Sequence, residues 1–210
     1  MNNLNIKVNA HSSICINENI YIDPFEIDNV TKNAKYVFIT HSHWDHLDLK
    51  SIKNITNNET IFICPNDCSV ILLNAGFKRE LIKVVYPNEF FEIGDIKCQT
   101  FNSYNTNKDF HPLSNNWLGY NLQINNIAYT ICGDSDLTNE LKQIRTDVLF
   151  VPIGGTYTMN SEEASILTNI INPKLVIPVH YGKIVGGLEP EKEFVSKINK
   201  NINYKILLKD

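Results

Sequence analysis

The sequence predicts a mixed α+β fold with two sheets and helices outside them. Apolar runs of strand length alternate with segments whose apolar residues recur at helical spacing, and turn residues separate the two kinds of segment. The 210 residues can bury one sizeable core, so we expect a single domain over residues 1–210. The hydrophobic fraction of 43% and the charged fraction of 20% are ordinary for a globular protein.

The first part of the chain begins with a predicted antiparallel meander of three short strands. Asn17-Glu18-Asn19 is a tight turn within it, and Asp23-Pro24 ends the third strand. Asp48 is a helix-capping residue before apolar positions at helical spacing. The expected strands are Ile6–Val8, Ser13–Ile16, Ile20–Ile22, Tyr36–Ile39 and Thr60–Ile63, and the expected helices are Leu49–Ile55 and Asp67–Asn74.

The second part repeats the scheme. Ser161-Glu162-Glu163 marks a helix start, because a capping hydroxyl is followed by acids where the helix dipole favours them. The expected strands are Ile82–Val85, Phe90–Ile93, Ile96–Phe101, Leu118–Ile124, Ile127–Ile131, Val148–Val151 and Leu175–Val179. The expected helices are Thr138–Ile144, Ser161–Ile171 and Glu191–Ile198.

Composition argues against several classes of partner and compartment. The net charge of -4 disfavours a nucleic-acid binder that relies on a basic surface. No apolar run approaches the roughly 20 residues that span a bilayer, and the N-terminus does not read as a signal peptide. Five scattered cysteines without a C-x-x-C pair are typical of reduced thiols. We therefore expect a cytoplasmic protein with no membrane partner. The composition does not decide whether it forms a homo-oligomer.

Three histidines and an aspartate stand together directly after the apolar run Tyr36–Ile39. They are His41, His43, Asp45 and His46, and the whole chain has only six histidines. Imidazole nitrogens and carboxylate oxygens are ligands of divalent metals such as zinc. A ligand-rich turn at the end of a buried strand therefore predicts a metal site.

Three further candidates also lie beside the ends of apolar runs: His111, Asp134 and His180. Taken singly, His111 can be an ordinary loop histidine, and Asp134 a turn former between Gly133 and Ser135. Together with the first cluster they bring the ligand count to seven. Two metals about 3.5–4 Å apart need roughly that many, so the combination favours a two-metal centre.

These elements carry a family resemblance. H-x-H-x-D-H after a strand, a later lone histidine, Gly133-Asp134-Ser135-Asp136 and a strand-ending histidine resemble the metallo-β-lactamase superfamily of metal-dependent hydrolases. Gly-Gly-Thr-Tyr-Thr-Met at 154–159 and Pro-Val-His-Tyr-Gly at 178–182 resemble its branch of zinc-dependent hydrolases that includes L-ascorbate-6-phosphate lactonase. The similarity runs from about Ile14 to Gly187.

The resemblance implies a four-layer αβ/βα sandwich, with two mostly antiparallel or mixed sheets and the metals at their upper edge. It implies two divalent ions, with Zn²⁺ expected first and Mn²⁺ or Fe²⁺ as alternatives. The implied ligands are His41, His43 and His111 for one ion, Asp45, His46 and His180 for the other, and Asp134 as the bridge.

Two departures from other branches narrow the implied chemistry. The best-known β-lactamases of this fold carry a cysteine where Asp134 stands, so antibiotic hydrolysis is disfavoured. The flavodiiron oxygen reductases carry a glutamate where His43 stands and append a flavin domain, so redox chemistry is disfavoured too.

The predicted reaction is hydrolysis of an ester, lactone or phosphoester bond of a small molecule. A water bridging two ions is acidic enough to give hydroxide near neutral pH, and Asp45 is the expected catalytic carboxylate that orients it. Two alternatives stay open: a phosphodiesterase acting on nucleic acid or phospholipid, and a binding protein that uses its metal without turnover.

Substrate contacts are harder to predict. Candidates are polar or aromatic residues near the ligand segments, and each can equally serve packing or the surface. They are His11, Trp44, Tyr157, Tyr181 and Lys183.

Overall fold

The computed structural model describes residues 4–208. They fall into two compact units, residues 4–85 and residues 86–208, and each unit is built on one sheet. None of the helices within this described range is long and apolar enough to cross a bilayer.

The first unit is a six-stranded sheet in which the strands stand in chain order. The first three pair antiparallel, and the later neighbours pair parallel. The strands are β1 (Ile6–Val8), β2 (Ile14–Ile16), β3 (Ile20–Ile22), β4 (Tyr36–Phe38), β5 (Ile61–Cys64) and β6 (Ile82–Val84). The helices are α1 (Leu49–Ile55) and α2 (Asn66–Asn74).

The predicted meander is confirmed, with Ile16 opposite both Ile6 and Ile20. The turn after β2 works because Asn17 and Glu18 both take left-handed backbone conformations. Helix α1 begins at its predicted cap, where the Asp48 carboxylate accepts from the backbone N–H groups of Lys50 and Ser51.

The core of the first unit joins both helices to one face of its sheet. Ile52 and Ile55 of α1 and Leu72 of α2 pack with Val37 and Phe62 of neighbouring strands. All five side chains are almost completely buried, so hydrophobic burial holds the helices on the sheet.

The second unit is a seven-stranded sheet ordered β13-β12-β11-β10-β9-β8-β7. Strands β10 to β13 run parallel, whereas β7 to β10 form antiparallel pairs. The strands are β7 (Phe90–Ile93), β8 (Ile96–Asn102), β9 (Leu118–Ile124), β10 (Ile127–Ile131), β11 (Val148–Pro152), β12 (Leu175–Val179) and β13 (Asn203–Tyr204). The helices are α3 (Ser161–Ile171) and α4 (Glu189–Lys197).

Helix α3 packs on the parallel strands of the second unit. Ala164 and Leu167 share a buried core with Leu149 and Val176, and α4 adds Phe194. The helix cap is Asn160, one residue before the predicted Ser161. Its side chain accepts from the Glu163 N–H while the Glu163 carboxylate accepts from the Asn160 N–H.

One predicted helix is wrong. Residues Thr138–Ile144 hold only a 3-10 turn, Leu141–Gln143, because the backbone is already extended at Ile144. One turn cannot recover the cost of helix nucleation. The short edge strand β13 was not predicted.

The five cysteines are free thiols, as the sequence predicts. Four are buried, and burial raises the pKa of Cys64 to about 12. The Cys64 thiol therefore stays protonated at neutral pH and serves as a packing group.

Candidate metal centre

The first ligand set follows β4, which lies inside the first sheet between β3 and β5. A tight turn gathers the side chains, since the backbone N–H groups of His46 and Leu47 both donate to the His43 carbonyl. His41 Nε2 lies 3.2 Å from His43 Nδ1, and His46 Nε2 lies 3.8 Å from Asp45 Oδ2. The four predicted residues of this segment therefore come together in the first unit.

Asp23, which the sequence marks only as the residue ending a strand, contacts this set through its carboxylate. Its carboxylate accepts from the Thr40 N–H at 2.8 Å, the Thr40 hydroxyl at 2.7 Å and His46 Nδ1 at 2.7 Å. Burial raises the pKa of Asp23, and the adjacent His46 offsets part of that rise. A hydrogen bond from Nδ1–H to a carboxylate fixes the imidazole tautomer, which leaves Nε2 of His46 as the atom that could bind a metal.

His11 also belongs to the first set. It is buried, adopts a left-handed backbone conformation and lies with its Nε2 3.2 Å from Asp45 Oδ2. His11, Asp45 and His46 each offer a ligand atom within 4.8 Å of the others. The sequence predicts His11 only as a substrate contact, because its position in the chain does not reveal its contact with Asp45.

The second ligand set lies in the second unit. Asp134 and His180 follow β10 and β12, whose carboxyl ends reach the same edge of the parallel part of the sheet. Asp134 Oδ2 lies 2.8 Å from His180 Nε2 and 3.3 Å from His111 Nε2. The preceding residue must be glycine: a Cβ on Gly133, at φ +64°, would lie 2.7 Å from Ser103 Oγ.

The chemistry of this set fits a divalent metal. His111 Nδ1 lies 3.0 Å from Asn105 Oδ1, an acceptor, so its proton belongs on Nδ1 and its lone pair on Nε2. That lone pair then faces an oxygen of Asp134. Two acceptors this close, the imidazole nitrogen and the carboxylate oxygen, need a proton or a cation between them. Nitrogen and carboxylate ligands of this kind suit zinc. His46 and Asp45 offer the same donor types in the first unit.

The remaining candidates occupy different surroundings. Trp44 is 65% exposed and meets the ring of Phe25 edge-on at 5.4 Å. Tyr157 is partly exposed and meets Phe110 edge-on at 4.6 Å. Tyr181 is buried in the core of the second unit, and its hydroxyl contacts Glu191 at 3.0 Å.

Lys183 lines a surface cavity of about 490 Å³ in the second unit, formed by residues 182–188. This loop begins shortly after the ligand candidate His180.

A family model described as the β-lactamase superfamily domain matches residues 5–180. The chain belongs to this superfamily. A UPF0173 metal-dependent hydrolase of Listeria welshimeri is 27% identical over 221 residues, which cover 96% of each chain. Membership of the narrower branch that includes L-ascorbate-6-phosphate lactonase stays a prediction.

Solved structures confirm the fold class. Igni18, a metallo hydrolase from the archaeon Ignicoccus hospitalis, has a TM-score of 0.75 at 20% identity and covers 98% of this chain and 95% of its own. A metallo-β-lactamase superfamily protein from Thermotoga maritima has a TM-score of 0.63 at 19% identity, covering 96% of this chain and 97% of its own. The predicted two-sheet fold of this superfamily is therefore correct.

Proposed function

We propose that this protein is a metal-dependent hydrolase that cleaves an ester, lactone or phosphoester bond of a small molecule at a two-metal centre. One observation carries the proposal: each unit gathers histidine and aspartate side chains and holds one buried imidazole, His46 in the first unit and His111 in the second, against an oxygen acceptor. Such orientation of ligating histidines is the usual arrangement around bound metals.

The two sets together supply the ligands of the proposed centre. Bound divalent ions would supply Lewis acidity and a water of lowered pKa. Zn²⁺ is our first choice, with Mn²⁺ or Fe²⁺ as alternatives. The proposed ligands are His41, His43 and His111 for one ion, Asp45, His46 and His180 for the other, and Asp134 for both.

Asp45 is the proposed catalytic residue. One of its oxygens would accept the proton of the attacking water and so aim the water's lone pair at the substrate. His11 Nε2, 3.2 Å from Asp45 Oδ2, would donate a hydrogen bond that holds the carboxylate in place. His11 is thus a positioning residue in this proposal.

The exposed aromatic residues are the proposed substrate contacts. Trp44 adjoins the ligand His43, and Tyr157 lies with Phe110 beside the ligand His111. Their exposed rings favour an apolar group on the substrate. Lys183 remains a proposed contact for an anionic group, whereas the burial of Tyr181 favours a packing role.

We also propose that the protein works in the cytoplasm. Its five free cysteines support this, because oxidising compartments favour disulfides.

The test is a turnover screen on metal-loaded protein. The protein is loaded with zinc or with manganese, its metal content is measured, and p-nitrophenyl esters, lactones and bis(p-nitrophenyl) phosphate are offered. We expect two ions per chain and turnover of at least one class. Asp45→Asn should lower kcat by roughly 10²–10⁴-fold, the range for loss of a general acid–base group.

Asp48→Asn is the matched control, because Asp48 lies in the same segment but caps α1. It should keep both the metal content and kcat. Full activity of metal-loaded Asp45→Asn would remove Asp45 from the mechanism. Absence of turnover with either metal would favour a binding protein, and one ion per chain would refute the two-metal centre.

A further inference from the structure

Asn105 and His111 close a loop, because they are joined by hydrogen bonds in both directions. The Asn105 backbone N–H donates to the His111 carbonyl at 2.8 Å. In return, Asn105 Oδ1 accepts from the His111 backbone N–H at 3.0 Å and lies 3.0 Å from His111 Nδ1. Because this amide oxygen accepts, it favours a proton on Nδ1 of His111.

The partners of the Asn105 NH₂ group determine the orientation of this amide. Nδ2 donates to Asp136 Oδ1 at 3.2 Å and to the Tyr157 carbonyl at 2.9 Å. A carbonyl only accepts, and so does a carboxylate. A flipped amide would turn its oxygen towards both acceptors and its NH₂ towards the backbone N–H of His111. The flipped state loses three hydrogen bonds, so the orientation shown is the stable one.

The Asp136 carboxylate accepts several further hydrogen bonds, which favour its ionised form. It is almost completely buried and accepts from the Thr106 N–H at 2.8 Å, the Asn107 N–H at 3.4 Å and the Lys108 ammonium. The ammonium balances the charge of this carboxylate. All these donors belong to the segment that leads to His111, so the segment and the amide orientation support each other.

We propose that Asn105 is a positioning residue that keeps His111 in the Nδ1–H tautomer, and that Asp136 and Lys108 keep the Asn105 amide in the orientation this requires. The proposal rests on the proposed function only in taking His111 as a metal ligand. Its consequence is a higher affinity for the ion bound by His111, because Nε2 is held deprotonated and aimed before the ion arrives.

The tautomer is measured directly in metal-free protein by long-range ¹H–¹⁵N NMR of the histidine rings at alkaline pH, with His111→Gln identifying the His111 signals. We expect wild-type His111 to be protonated at Nδ1. In Asn105→Ala the Nδ1–H tautomer should lose its dominance. Asp136→Asn keeps the shape of Asp136 but can donate, so the Asn105 amide can flip and the tautomer should again become mixed.

Zinc titration against a competing chelator gives the second readout. Asn105→Ala should weaken one of the two zinc affinities by about 10–100-fold and leave the other near wild type. Asn121→Ala is the matched control, because Asn121 lies in the same unit and donates to the Arg145 carbonyl. It should change neither the tautomer nor the zinc affinity.

An Nε2–H tautomer in the wild type would overturn the proposal, whether or not the variants fold. So would an unchanged tautomer and zinc affinity in folded Asn105→Ala. These outcomes are separate from the turnover screen: a correct tautomer in a protein without hydrolase activity would refute the proposed function alone.

Discussion

Asp23 links two of the proposed ligand histidines through one buried carboxylate. It accepts directly from His46 Nδ1, and it accepts from the Thr40 hydroxyl, whose oxygen lies 2.9 Å from His41 Nδ1. Because the Thr40 hydroxyl uses its proton on Asp23, it is left to accept from His41. In the proposed centre these histidines belong to different ions, so Asp23 would orient ligands of both.

Substituting Asp23 should therefore weaken both metal sites. Asp23→Asn keeps the shape but offers only one acceptor oxygen, and we expect each zinc affinity to fall by about 10–100-fold. Zinc titration against a chelator measures this, with the exposed Asp95→Asn as control. Unchanged affinities in Asp23→Asn would show that the two histidines do not need this carboxylate.

Six of the seven ligand candidates could be recognised in the sequence because they follow apolar runs, whereas His111 stands in the loop between β8 and β9. The residues that orient these candidates, Asp23 and Asn105, could not be predicted from the sequence. Asp23 reads as the end of a strand until β3 is placed beside β4, where Asp23 donates its backbone N–H to the Phe38 carbonyl. Asn105 is six positions from His111, and only the closed loop brings its amide to the ring.

At the scale of elements, the start of α3 is held by the reciprocal cap between Asn160 and Glu163. Asn160→Ala removes the acceptor for the Glu163 N–H and should lower the free energy of unfolding by roughly 1 kcal/mol. Urea denaturation measures the change. Asn160→Ser keeps an acceptor and should recover most of the loss; equal destabilisation by both variants would mean that the cap is not the cause.

The loop before β11 has a pH-dependent contribution to stability. Asp147 accepts from the Ala128 backbone N–H at 2.9 Å and pairs with Lys174 at 2.7 Å, and these contacts lower the pKa of its carboxyl. A lowered folded-state pKa stabilises the fold above the ordinary pKa of 3.8 and loses this effect as the pH falls through the lower value.

Asp147→Asn should therefore destabilise the protein at pH 7 by roughly 1 kcal/mol, the size of one hydrogen bond, and much less near pH 3. Thermal unfolding of variant and wild type at both pH values measures the difference. Asp28→Asn is the control, because Asp28 pairs with Lys50 at the surface and such pairs contribute little. A destabilisation that does not depend on pH would exclude the carboxylate charge as its source.

Strands were predictable to within a residue at most ends because their apolar runs are bounded by turn residues. The failure at Thr138–Ile144 has a local cause, since the backbone becomes extended at Ile144 and leaves room for only one turn. Edge strand β13 pairs only Asn203 and Tyr204 with β12, too short a segment to show any alternation.

At the scale of the whole molecule, the proposed centre takes ligands from both units. A metal that binds the folded but not the unfolded chain adds stability, about 2.7 kcal/mol per ion at a free concentration of 100 times Kd. For a chain of this size that corresponds to roughly 5–10 °C in Tm for each ion. We expect zinc-loaded protein to melt higher than chelator-treated protein by about this amount for each ion bound.

His111→Ala and His41→Ala should each reduce this zinc-dependent increase in Tm, since each removes one ligand from a different unit. Calorimetry with and without zinc measures it. An increase that survives in either variant would show that the corresponding unit does not contribute to the bound metal.

The ligands and the proposed substrate contacts differ in how firmly the fold holds them. Asp134 and His180 follow strands in the interior of the parallel sheet, whereas Tyr157 and Lys183 lie in the loops beyond β11 and β12. Loops accept sequence change and altered length more readily than buried strands. Exchanging residues 182–188 could therefore change which substrate binds while the proposed metal ligands stay in place. Natural sequence divergence in these loops could change the substrate in the same way.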